Sequence, residues 1–135
     1  MAISEEHGIE HTQIFEKSVN TEKFLEYISR LRATSPFDRI AIFMDNMTVH
    51  KTIVVKEKLI ELKIEALYNV PYMPDYNPCE CCFSKIKNFY KRTKLNALVN
   101  ERNWDVKSLI NESVKSLNKV DIINSVNFSL NLINR

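Results

Sequence analysis

The apolar positions of this chain fall into blocks with two different periods. Ile40-Ala41-Ile42-Phe43-Met44 and Ile64 to Val70 are short, nearly continuous apolar runs, the pattern of strands buried on both faces. Phe24, Leu25, Ile28 and Leu31 recur instead at helical spacing. Asn20 stands in place to cap that helix, and Ser35-Pro36 ends it. A further helix is expected from about His50 to Lys63, with Ile53, Val55, Leu59 and Leu62 among its apolar positions. Residues 39–70 therefore read as a right-handed βαβ unit whose two parallel strands end on the same edge of a sheet.

The flanks are read in the same way. Met1 to Ser4 is a short apolar stretch, Glu5 to Gly8 a turn, and Ile9 to Phe15 alternates loosely, as the second strand of a hairpin does. Asn77-Pro78-Cys79-Glu80 reads as a helix start, with Asn77 as N-cap and Pro78 in the first helical position. The helix is expected to run to about Lys94. Trp104 to Leu117 forms another. The tail is ambiguous: residues 126–132 alternate with period two, while Ile122, Ile123, Val126, Leu130 and Ile133 fit a helix equally well, and we expect a helix.

Composition narrows the function classes. At 135 residues with 44% hydrophobic content, one ordinary core is expected, and a formal charge of +2 does not by itself argue for nucleic acid. One glycine in the whole chain excludes GxGxxG and P-loop phosphate cradles. No apolar run approaches a membrane span and no signal-peptide pattern opens the chain, so a soluble, intracellular protein is expected. Cys79, Cys81 and Cys82 include a Cys-x-x-Cys pair, but no second pair with zinc-site spacing exists in the sequence. Small buried apolar residues are the better reading of these thiols.

Two acids stand out. Asp45 follows an apolar strand directly, at the edge where open α/β sheets keep their chemistry, and Glu80 rides on the first turn of a helix. Met44-Asp45-Asn46-Met47-Thr48-Val49-His50, followed by Pro71-Tyr72-Met73-Pro74-Asp75-Tyr76-Asn77-Pro78-Cys79-Glu80, resembles the second and third acidic motifs of the mariner superfamily of DDE transposases. That family's pattern is a strand ending in Asp-Asn with a His five residues after the Asp, then a Pro-Tyr-Ser-Pro-Asp-Leu-Asn-Pro-Ile-Glu loop entering a helix. The 34 residues between Asp45 and Glu80 match its spacing. Met73, Cys79 and Phe83 depart from it at positions usually Ser, aliphatic and Trp.

The resemblance implies an α/β fold, an RNase H-like mixed sheet flanked by helices. It implies two-metal phosphoryl transfer on DNA, with Asp45 and Glu80 as catalytic, metal-holding carboxylates for Mg²⁺ or Mn²⁺. Asn46, His50 and Asn77 would support the acids or face DNA, and Lys85, Lys87, Lys91 and Arg92 would contact nucleic acid. A solvated helix face is the plainer account of those cations. The family's first Asp lies on a central first strand, and this sequence is expected to start at the second strand, downstream of it. Glu5 and Glu6 fall at the wrong end of the sheet to replace it.

From this follow the remaining expectations. Residues 1–95 form a partial nuclease core lacking its first strand, and 96–135 a helical extension packed on the same domain. Another polypeptide is expected to supply the missing strand, with the tail at 126–132 the weaker candidate because Asn127, Ser129 and Asn131 would put polar side chains on one buried face. The chain alone is inactive on DNA, and it is nuclear if it acts as a transposase. The alternative is a domesticated transposon-derived domain, a pseudoenzyme serving as a subunit of a protein complex.

Overall fold

The computed structural model describes residues 1–134. It contains four strands, β1 (Ala2–Ser4), β2 (Gly8–His11), β3 (Ile40–Met44) and β4 (Ile64–Tyr68), and five helices, α1 (Thr21–Thr34), α2 (Ile53–Glu61), α3 (Pro78–Val99), α4 (Val106–Lys115) and α5 (Lys119–Ile133). The fold is mixed α/β, as expected. The strands form two separate pairs. β1 and β2 make an antiparallel hairpin with a bulge between Ala2 and Ile3, and Gly8, at φ +83°, supplies the left-handed conformation at its turn. β3 and β4 are parallel, in register from Ile40 opposite Ile64 to Met44 opposite Tyr68.

Local chemistry sets the helix boundaries. The Asn20 side chain accepts from the Lys23 N–H and starts α1, which puts Phe24, Ile28 and Leu31 inward. The expected helix from His50 begins later: Thr48–Lys51 is a 3₁₀ turn, and Thr52, in extended conformation, caps α2 through the Val55 N–H. A capping hydroxyl competes with helix at its own position, which explains the delay. The Arg32 guanidinium donates to the carbonyls of Leu62 and Asp38, tying the end of α1 to the turn that leads into β4.

Two apolar clusters result. One joins Phe24 and Ile28 of α1 with Met44, Val55, Leu59 and Ile64; the other joins Cys82, Leu117 and Ile122 with Ile3 and Ile9 of the hairpin. Cys82 is fully buried there, as expected for a small apolar residue.

Other features also differ from expectation: β4 ends at Tyr68 rather than Val70, and α4 spans Val106–Lys115 rather than Trp104 to Leu117. β2 stops at His11 because Thr12 to Phe15 have no strand beside them, and Gln13 bonds Glu26 of α1 instead. α3 continues past Lys94 to Val99, through Leu95, Ala97 and Leu98, which favour helix. β3 and β4 are each buried on one face only: Ala41 and Phe43 of β3 are exposed on the other face, as are Glu65 and Leu67 of β4. The tail is helical, and α5 opens with a reciprocal capping box between Asn118 and Asp121.

His11 carries a pH dependence. Its ring packs on Tyr27 at 5.1 Å, and its Nε2 is buried with no hydrogen-bond partner. Burial lowers its pKa; Gln13 opposes this, and the N-terminal ammonium and Arg30 add smaller downward pushes. The unfolded chain therefore takes up the proton first, so the stabilisation is complete above the ordinary value of about 6.5 and is lost as pH falls through the lowered one. Chemical denaturation at pH 7.5 and pH 5 is expected to show lower stability at pH 5, and His11→Phe is expected to flatten that difference.

Candidate active site

The parallel pairing of β3 and β4 brings the ends of both strands to one edge, and the segments that follow are laced together there. The Asn46 amide donates to the Asn69 carbonyl and accepts from Lys51, whose ammonium lies 5.1 Å from the centre of the Tyr68 ring. Tyr68 in turn donates to the His50 carbonyl at 2.9 Å. Asn69 is buried; its side chain donates to the Met73 carbonyl and accepts from the Val70 N–H. The loop after β3 and the loop that leads to α3 are thus held by one polar network.

Asp45 is oriented from one side. His50 Nδ1 lies 2.7 Å from its Oδ1, and the Met47 N–H donates to the same oxygen at 3.3 Å. The His50 ring is itself fixed against Phe24, with centroids 4.3 Å apart. Among the described residues Oδ2 has no partner, which leaves it for another ligand.

Glu80 is placed by the start of α3. The Asn77 side chain accepts from the Cys79 N–H, Pro78 takes the first helical position, and the Glu80 N–H bonds the Asn77 carbonyl. No reciprocal capping box closes through the Glu80 carboxylate, which stays exposed.

Asp45 and Glu80 both line a single large cleft of about 1050 Å³, as do Asn77 and Pro78. A second observation agrees. The Cys79 thiol is raised to about 11, mainly by burial, and both Glu80 and Asp45 add to that rise. One thiol feels the charge of both carboxylates.

Carboxylate oxygens are the donors that a hard divalent cation requires. Mg²⁺ in particular is commonly held by one or two carboxylates together with waters and substrate phosphates. Asp45 and Glu80 fit such an ion in donor type. Among the described residues no group of three His, Cys, Asp or Glu side chains converges to hold a metal unaided.

The basic residues of α3 divide. Lys85 is paired with Asp121 of α5 at 2.6 Å, and this contact lowers the Asp121 pKa. Lys94 lies over the Trp104 ring. Lys87, Lys91 and Arg92 make no ion pair among the described residues. Lys51, Tyr68 and Asn69 were not singled out from the sequence, since no local pattern distinguishes them; their role depends on contacts about 20 residues apart.

Among the described residues no helix is long and apolar enough to cross a membrane. No curated protein sequence matches the chain. A family model described as DDE superfamily endonuclease matches residues 1–99, from the hairpin to the end of α3. The chain belongs to the DDE superfamily endonuclease family.

Proposed function

We propose that this chain carries part of a mariner-type DDE nuclease core, with an RNase H-like sheet lacking one central strand, and that Asp45 and Glu80 are its metal-holding carboxylates. What supports the reading is that both carboxylates line one cleft, Asp45 directly after β3 and Glu80 on the first turn of α3. Bound there, Mg²⁺ or Mn²⁺ would activate an attacking water or 3′-hydroxyl and stabilise the leaving oxygen of a phosphodiester.

The chain's own residues have separate tasks. His50 and the Met47 N–H hold one oxygen of Asp45, so that the other faces outward. Asn46 keeps the loop after β3 in register with the loop after β4. Asn77 fixes the first turn of α3 and with it the direction of Glu80. Lys87, Lys91 and Arg92, with Lys85 where DNA competes with Asp121, supply cations for the phosphate backbone. Residues 1–95 form the core unit and 96–135 a helical extension that braces α3. The third carboxylate comes from outside the described residues, and the chain by itself does not cut DNA. A nuclear location follows if the assembled protein acts as a transposase.

Fluorescence anisotropy with a labelled DNA duplex tests this reading. In EDTA, weak salt-dependent binding is expected, weakened further by Lys91→Glu. Mn²⁺ is expected to tighten it about tenfold by joining the carboxylates to phosphate, and Glu80→Gln is expected to remove that gain. Plasmid nicking by the chain alone is expected to be absent. Binding that ignores Mn²⁺ would favour a retired, domesticated domain kept as a subunit of a protein complex.

A further inference from the structure

The segment before Glu80 leaves one backbone group over. In the 3₁₀ turn Pro74–Tyr76 the Tyr76 and Asn77 N–H groups donate to the carbonyls of Met73 and Pro74. The Asp75 carbonyl is next in line, and its donor would be the N–H of residue 78. That residue is Pro78, which has none. The carbonyl therefore needs a donor from elsewhere.

α5 supplies it. The Ser129 hydroxyl donates to the Asp75 carbonyl at 2.9 Å, across 54 residues of sequence. A serine inside a helix ordinarily bonds a carbonyl of its own preceding turn. Ser113 of α4 does so with Leu109 at 2.7 Å, and Ser125 of α5 with Asp121 at 2.8 Å. All three serines are buried, but Ser129 reaches out of its helix. It is 2% exposed, so little water competes for the bond.

The same helix grips α3 on the other side of Glu80. Ile122 joins Cys82 in the second apolar cluster, and Asp121 pairs with Lys85 at 2.6 Å. Glu80 thus lies between two attachments to α5, one on the turn before it and one on the helix after it. Asn77 connects the turn to the helix: it is buried, its side chain accepts from the Cys79 N–H at 3.1 Å, and its carbonyl accepts from the Glu80 N–H at 3.0 Å. Held by its later turns alone, a helix frays at its start, where its first N–H groups have no partner within the helix. α5 lies wholly beyond residues 1–99, the part that the family model matches.

We propose that α5 aims Glu80, with Ser129 as the positioning residue: by holding the Asp75 carbonyl it fixes the turn from which α3 starts, and with it the direction of the Glu80 carboxylate. In its consequence for metal affinity the inference rests on the reading of Glu80 as a metal-holding carboxylate. The hold on the turn does not depend on that reading.

Two measurements on the full chain test it, with Ser113→Ala as the control, since that change removes an equally buried hydroxyl whose bond stays within α4. In EDTA, hydrogen exchange of the Tyr76, Asn77 and Glu80 amides is expected to speed up about fivefold in Ser129→Ala, well beyond any rise in the middle of α3. In Ser113→Ala the two sets of amides are expected to change together. The Mn²⁺ dissociation constant, read from the electron paramagnetic resonance of the free ion, is expected to rise about fivefold in Ser129→Ala and to stay within about twofold in Ser113→Ala. A serine with a structural role alone would lower Tm in both variants and produce neither contrast. Exchange at the turn that stays unchanged in Ser129→Ala overturns the proposal, and so does an unchanged Mn²⁺ affinity. If the unaltered protein binds no Mn²⁺, the metal reading of Glu80 fails on its own, and the exchange contrast upholds or overturns the hold of Ser129 on the turn.

Discussion

Asp45→Asn is expected to abolish the stabilisation that Mn²⁺ gives this protein. With two carboxylates lining the cleft and a dissociation constant on the order of 1 mM, 10 mM Mn²⁺ stabilises the folded chain by about 1.4 kcal/mol. For a chain of this size that is a rise in Tm of roughly 5 °C. The variant keeps the shape of the side chain and loses its charge, so the ion retains only Glu80. In EDTA the two proteins should melt within about 1 kcal/mol of each other, because the variant can still accept from the Met47 N–H and loses only the charge of a half-buried contact with His50. Differential scanning fluorimetry with and without Mn²⁺ reads both quantities. Equal Mn²⁺ shifts in the two proteins would remove Asp45 from the metal site.

Ile28→Ala carries the largest expected effect on stability. Ile28 is almost completely buried, in the cluster that joins α1 to β3, β4 and α2. Removing its outer carbons loses transfer free energy and leaves a cavity, a combined cost of about 2–5 kcal/mol. Domains of this size are stable by only about 5–15 kcal/mol, so the variant spends a large share of the margin. Ile60→Ala, which changes a 77% exposed position on α2, is expected to cost under about 0.5 kcal/mol. Urea unfolding of both variants checks the contrast. A similar cost for the two would mean that α1 does not pack on the parallel strands.

The parts of the fold that were legible in the sequence are those fixed by local chemistry. The apolar runs of β3 and β4, the stripe of α1, and the Asn77-Pro78 start of α3 each depend on residues a few positions apart. The placement of Asp45 after a strand and of Glu80 on the first turn of a helix was legible because both depend on neighbouring residues. What the sequence did not reveal depends on distant partners. Asn46 meets Asn69, Phe24 supports His50, and Asp121 neutralises Lys85, and no periodicity records any of these. The exposed face of β3 was missed for a related reason: an apolar residue is written the same way whether its neighbour is present or must still arrive.

The most direct measurement is anomalous scattering from Mn²⁺-soaked crystals of the chain. The account predicts a peak in the cleft, with oxygens of both Asp45 and Glu80 within about 2.1–2.3 Å of it, and no peak there in Asp45→Asn crystals. Mn²⁺ bound elsewhere, with the two carboxylates turned away from each other, would contradict it.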